Sequence, residues 1–330
     1  MTPRLARTAL VAVICILAVD VALTIPATAM APSDTTRIIS RVKNTGEPNF
    51  VEMGSQGKYA YVSTSDNSYL DAIDVATGKL AFSIKIGEAQ NGIAVGKDGK
   101  RAYVAINGED RIVVVDLKAR RVIRSIATCG GPWQVAMHPS GKTVYVVCFD
   151  SDSLDAIDVA TNKVIGEVLT GSAPSDVVFS PNGKTGYVAN SGDDSVSVIN
   201  MANGKEISTI ATGKSTDYLA ITPDGRKLYV NCDDSDAVYV VDTTTNSVTA
   251  QLPFAVGPEE VAVSPDGTRL YVASRGVAVV DTATNAVIGT LPIQGKKAWA
   301  LAVSPDGRRV FASGTPEYTY VLDAVGFTGP

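Results

Sequence analysis

Apolar residues recur along this chain in runs of about five, each closed by Gly, Asp, Asn or Pro. In Val135-Ala136-Met137-His138-Pro139-Ser140-Gly141-Lys142-Thr143-Val144-Tyr145-Val146-Val147, one run, a Pro/Gly turn and a second run follow one another. That order predicts a β-hairpin. The pattern returns as Val261-Ala262-Val263-Ser264-Pro265-Asp266-Gly267-Thr268-Arg269-Leu270-Tyr271-Val272-Ala273. The turn glycines are Gly57, Gly99, Gly141, Gly183, Gly225, Gly267 and Gly307, spaced by 42 residues until a last step of 40. A fixed period of this size marks a repeat architecture.

Each unit carries four strand signals. In the second, Asn91–Val95 is strand a, Arg101–Ala105 strand b, Arg111–Asp116 strand c and Val122–Ile126 strand d, with polar turns between them. Marker residues keep their places. The strand b aromatic is Tyr61, Tyr103, Tyr145, Tyr187, Tyr229, Tyr271 and Phe311, and strand c ends on Asp74, Asp116, Asp158, Asn200, Asp242, Asp281 and Asp323. Strand a carries an apolar residue and then Ala94, Ala136, Ala220, Ala262 or Ala302, with Glu52 and Val178 as exceptions. Small residues suit an innermost strand crowded around an axis.

There are seven units, and the last has no room for a fourth strand. Arg37 to Val42 matches the strand d pattern, and pairing it into the last unit would remove an open edge. The expectation is an all-β, seven-bladed β-propeller of four-stranded antiparallel blades, one domain over residues 36–330, with the N-terminal strand closing the last blade. Tyr187-Val188-Ala189-Asn190, Ser264-Pro265-Asp266-Gly267 and Val280-Asp281-Thr282-Ala283-Thr284-Asn285 resemble the YVTN-type repeat. The resemblance covers roughly residues 36 to 323. In overall plan the chain is similar to exported bacterial proteins of the YncE-like group, which implies the seven-bladed fold and a binding or scaffolding role. One member of that group is associated with DNA binding.

Composition changes this picture at the N-terminus. Arg4 and Arg7, the apolar run Leu10 to Leu17 and the small-x-small triplet Ala27-Thr28-Ala29 make a secretory leader over residues 1–29, with 30–35 as a linker. Export to the periplasm, the cell envelope or the outside is expected, without stable membrane insertion once the leader is cut. Asp20 within the run argues against a permanent span. Removing the leader leaves 27 basic and 33 acidic residues, a net charge of −6, which argues against nucleic acid as a partner. Cys15 lies in the leader; Cys129, Cys148 and Cys232 remain. A Cys129–Cys148 bridge within one hairpin unit and three buried small side chains are both compatible with the spacing.

Candidate chemistry sits where repeats differ, on loops around the channel mouth. The start of strand a carries Asn49, Asn91, Trp133, Ser175, Asp217, Glu259 and Trp299, which vary while their neighbours do not. Trp133 and Trp299 are the chain's two tryptophans, in blades three and seven. They either stack on a ligand or partner, or pack under loops. The loop between strands b and c holds Asp66, Glu109, Asp110, Asp150, Asp152, Asp193, Asp194, Asp233, Asp234 and Asp236. Asp150 with Asp152, and Asp234 with Asp236, are weak Ca²⁺ candidates against the plainer reading of solvated turns, and no other cofactor is expected. Lys296, Lys297 and Arg275 make blades six and seven more basic.

The one histidine, His138, falls in a turn on the opposite face and reads as structural, which excludes a Ser-His-Asp triad or a multi-histidine metal site at the mouth. The reading adopted is a monomeric, non-enzymatic binding or scaffold protein taking a protein or small ligand at the mouth. Trp133 and Trp299 serve as anchors, and Asp217 and Glu259 set polarity. The alternatives are a carboxylate hydrolase or lyase using Asp217 and Glu259, a propeller subunit of a redox complex, and single-stranded nucleic acid binding on the tryptophans.

Overall fold

The computed structural model describes residues 37–88, 90–294, 297–314 and 317–327. The leader, the linker and Lys296 lie outside the described residues. Twenty-eight strands form seven sheets of four antiparallel strands. Six sheets take their strands in chain order; the first, for example, is Pro48–Met53, Tyr59–Thr64, Tyr69–Asp74 and Lys79–Lys85. The seventh combines Leu301–Val303, Arg309–Gly314 and Tyr318–Asp323 with the N-terminal strand Ile38–Lys43.

The closing strand pairs Ile38 with Leu322, Ser40 with Val321, Arg41 with Tyr320, Val42 with Thr319 and Lys43 with Tyr318. The expected closure is therefore the observed one. Around it, Thr319 Oγ1 donates to Asn44 Oδ1 at 2.9 Å, and the Arg37 and Arg41 guanidinium groups stack on Phe327 and Tyr318.

The core lies between blades. Seven buried clusters each join two neighbours; Val42, Val51, Val62, Phe311 and Val321, for instance, join blade seven to blade one. Each sheet hides both faces against its neighbours, so central strands read as near-continuous apolar runs such as Arg111–Asp116. Outer strands are mostly exposed and carry a bulge, for example at Ile165 between the pairs Ala156–Gly166 and Ile157–Val164. Bulges and charges on an outer strand discourage edge-to-edge pairing.

The repeated markers have local tasks. All seven turn glycines have φ between +66° and +74°, a conformation that costs a residue with Cβ. The aspartates ending strand c accept bonds from the turn that follows: Asp158 Oδ1 takes Thr161 N and Oγ1, both at 2.7 Å. These bonds hold the Asp74, Asp158, Asp242 and Asp281 carboxyls below the ordinary range. His138 fills the seam between blades three and four, with Nε2 2.8 Å from Gly183 O and its ring against Tyr145 and Phe179. Cys129 and Cys148 form a disulfide with Cα atoms 5.7 Å apart, and Cys232 is free and buried.

Candidate functional site

Antiparallel order puts the starts of the inner strands, the b–c loops and the d–a loops on one face. The a–b and c–d turns occupy the other. Clefts of about 430 and 590 Å³ lie between blades on that second face, lined by turn residues such as Asp224 and Asp266. Those carboxylates already bind their own turns: Asp224 Oδ1 accepts Thr222 Oγ1 at 2.6 Å and Arg226 N at 3.0 Å. The clefts are by-products of turn geometry. The first face is where residues differ between blades.

Its regular frame breaks over blades six and seven. Strand a has six residues in blades one to five but only three in blades six and seven. The b–c loop of blade six is cut to Ser274-Arg275-Gly276, beside an apolar cavity of about 140 Å³ lined by Phe254, Val256 and Arg275 among others. Into this gap come Lys297, Glu259 and Trp299. Lys297 Nζ lies 2.6 Å from Glu259 Oε1 and 3.3 Å from Asp233 Oδ1, with the Trp299 ring centroid 6.0 Å away. Burial by itself would lower the Lys297 pKa, but Glu259 and Asp233 outweigh it and the pKa rises. Glu259 is raised by burial, which exceeds the pull of Lys297. Asp217, which accepts Ser215 Oγ at 2.8 Å, is also raised by burial, and Asp233 and Asp234 add to the rise.

The residues expected at the mouth separate into two groups. Trp299 is 44 % exposed at the rim. Trp133 is half-buried and leans on Phe149, ring centroids 5.9 Å apart. Asp217 and Glu259 reach the same acidic neighbourhood. Asn49, Asn91 and Ser175 instead tie blades together. Asn49 Nδ2 donates to Gln90 O and Asn91 Oδ1, both at 3.0 Å, and Ser175 Oγ donates to Thr216 O and Asp217 O at 3.1 and 2.8 Å.

The acidic b–c loops serve the backbone. Asp110, Asp152, Asp194 and Asp236 have φ near +50°, which Asp tolerates better than most residues. Three of them accept an amide 21 residues further on: Asp110 takes Gly131 N, Asp152 takes Ala173 N and Asp194 takes Ser215 N. The Ca²⁺ candidates Asp150, Asp152, Asp234 and Asp236 are not gathered into a common cluster among the described residues. One group of three potential ligands lies within 4.8 Å there, Cys129, Cys148 and Asp155, and its two sulfurs are joined to each other.

One residue further along strand a is a ring that sequence reasoning passed over: Phe50, Gly92, Gln134, Asp176, Tyr218, Glu260 and Ala300. Phe50 of blade one and Tyr218 of blade five meet across the axis, centroids 6.3 Å apart. Asp176 and Glu260 share this throat, and Glu52 lies two residues beyond Phe50. Each carboxylate is held by an inner-strand amide of the next blade: Asp176 Oδ2 accepts Leu219 N at 2.9 Å, Glu260 Oε2 accepts Leu301 N at 2.7 Å, and Glu52 takes Val95 N. Burial pushes Glu52 up to about 8 and Asp176 to about 7. Glu260 stands well above the ordinary range through burial, with Asp176 and Glu52 adding repulsion.

These acids bind protons more tightly folded than unfolded. Their contribution to stability is full below the unfolded values of 3.8 and 4.5 and is lost as pH rises through about 7 and about 8. The thermal midpoint is therefore expected to fall between about pH 5 and about pH 9, and Glu52→Gln to flatten the slope. Calorimetric melts at stepped pH check this; an equally steep decline in the variant would contradict it.

Comparison with known proteins agrees with the architecture. Residues 178–285 match the sequence model of the YNCE-like beta-propeller family. No curated protein matches this chain. A solved structure of Kuenenia stuttgartiensis hydrazine synthase is similar, with TM-score 0.76 and 22% identity over 85% of this chain and 96% of that one. At that identity the likeness is one of fold. The seven closed blades make this chain a seven-bladed β-propeller, and residues 178–285 within it resemble the YNCE-like family.

Proposed function

We propose that this propeller is an exported, non-enzymatic binding protein whose ligand or partner seats at the mouth over blades five to seven. The observation that carries the reading is the convergence there of exposed Trp299, the Lys297–Glu259 pair and Asp217, where two inner strands are shortened. Departures from an otherwise consistent frame mark functional places more often than framework ones. An exposed indole beside partly buried charges offers a flat apolar surface and fixed polar contacts. Export is supported by the leader pattern of residues 1–29 and by the Cys129–Cys148 bridge, which suits an oxidising compartment.

The two tryptophans supply the test. In Trp133→Phe protein, Trp299 is the sole indole and reports on the mouth. Titrating amines, sugars and nucleotides should yield a compound that both raises the thermal midpoint and shifts Trp299 emission. The same compound should leave Trp133 emission unchanged in Trp299→Phe protein, or bind it less well. A compound that stabilises the protein without touching Trp299 emission would place the site elsewhere.

A further inference from the structure

We propose that the cavity beside Arg275, in the seam between blades five and six, binds a small aryl carboxylate. This goes beyond the mouth reading, since none of Trp299, Lys297, Glu259 and Asp217 lines the cavity.

The first argument is a missing prop. In blades one, three, five and seven the third residue of strand c supports the loop that enters the blade. Asp71 Oδ2 accepts Thr45 N at 2.7 Å, and Asp155 Oδ2 accepts Cys129 N at 3.0 Å. The Tyr320 hydroxyl donates to Gln294 O at 2.7 Å. Tyr239 packs so tightly under Gly213 that a Cβ at that glycine would stand 2.5 Å from its ring. Blades two and four carry Val113 and Ser197 there, both buried. Blade six has the smallest residue of the set, Ala278. A methyl group reaches no loop, and space opens beneath Phe254-Ala255-Val256. That space is the cavity of about 140 Å³, lined by Phe254, Val256, Arg275, Ala278, Val287 and Thr290 among others. An unfilled cavity forfeits packing on every wall.

The second argument is an unpaired guanidinium. Where blade five has Asp233, Asp234, Ser235 and Asp236 between strands b and c, blade six has Arg275 alone. Arg275 is exposed, lines the cavity and forms no ion pair among the described residues. Two departures from the repeat thus fall on one cavity. The small strand residue gives it depth, and the shortened loop sets a cation on its wall. Apolar walls with a single polar group to fix orientation are the usual make-up of a small-ligand pocket.

Size and charge name the ligand class. An apolar cavity of roughly 150 Å³ is enough to hold one benzene ring. A ring seated against Phe254, Val256 and Val287 gains apolar burial and an aromatic contact. A carboxylate one or two bonds from that ring reaches the guanidinium, whose fork matches its two oxygens. One guanidinium balances one negative charge. A phosphate monoester carries about two. The acidic loop of blade five, whose Asp236 O accepts Phe254 N at 2.7 Å, would repel the surplus.

Calorimetric titration of the protein with phenylacetate tests the proposal, with phenylacetamide as the neutral control and acetate as the control without a ring. Phenylacetate should bind roughly tenfold tighter than either, or more, the worth of one charged hydrogen bond. Ala278→Tyr puts into blade six the residue that blades five and seven already carry. It should fold, melt no earlier than the native protein and lose phenylacetate binding. Arg275→Gln changes an exposed residue and should bring the acid down to the affinity of the amide. If Ala278→Tyr does not fold, the Arg275→Gln comparison decides alone. No heat from phenylacetate, equal binding of acid and amide, or full affinity in either folded variant would overturn the proposal. Binding of acetyl-Asp-Phe-amide without binding of phenylacetate would assign the cavity to a partner protein and likewise overturn it. A compound held at the mouth should bind Ala278→Tyr protein as well as native protein, so failure of one site leaves the other standing.

Discussion

Deleting residues 37–43 is expected to abolish cooperative folding. The lost strand is six residues long and pairs with Tyr318 to Leu322 of the neighbouring strand. Its removal strips Val42, 5 % exposed, from the cluster that joins blades seven and one. It also takes the Arg41–Tyr318 stack and the Arg37–Phe327 stack. Burying Val42 contributes about 1.5–3 kcal/mol, and each lost ladder hydrogen bond about 1 kcal/mol. Against a total of roughly 5–15 kcal/mol for a folded domain, the sum removes most of the stability. The remaining edge of Tyr318–Asp323 would also invite pairing between molecules. Circular dichroism melts should show a broad, early transition. A synthetic peptide of residues 37–43 added in excess should restore part of it. A truncated protein that melts like the full chain would show that blade seven does not need its fourth strand.

Replacing Cys129 and Cys148 together by alanine is expected to lower the free energy of unfolding by about 3 kcal/mol, the loop-closure value for a bridge of this span. The two lie 19 residues apart, linking the loop that enters blade three to the end of its strand b. Alanine avoids placing a hydroxyl at the fully buried Cys148 position, which would add a separate cost. Guanidinium unfolding with and without reductant gives the measurement. Reductant should destabilise the native protein to the level of the variant and leave the variant unchanged. Cys232 should stay unreactive to alkylation until the protein unfolds, since burial raises its thiol pKa. An equal effect of reductant on both proteins would deny the bridge its stabilising role.

The frame was legible because each repeat position has one physical task. A turn glycine at left-handed φ, an aspartate accepting turn amides and an aromatic in the seam recur wherever the task recurs. The closing strand was legible for the same reason, since Arg37 to Val42 carries the pattern of an outer strand. Spacing alone does not bring two sulfurs together, so the sequence is compatible with the bridge without requiring it.

The placement of the variable residues was only partly legible. Trp299 lies at the rim beside the Lys297–Glu259 pair with Asp217 in the same acidic neighbourhood, while Asn49, Asn91 and Ser175 bond to their neighbouring blades. Asp176, Tyr218 and Glu260 were missed because strand a begins with a bulge. Two residues there oppose one on strand b, as in the step from Pro48–Thr64 to Val51–Val62. Simple alternation then fails to say which residue faces the axis. A clue was available. Glu52 breaks the alanine rule of the innermost strand, and a carboxylate is a costly occupant of so crowded a place.

The chain ends carry a mechanical consequence. Ile38 lies directly opposite Leu322, so the two ends leave the same side of the seventh sheet. Tension applied through them would peel the ladder one rung after another instead of shearing all rungs at once. A tether at the N-terminus pulled against the C-terminus would thus release the first strand at low force, before the rest of the ring gives way, a latch that opens rung by rung.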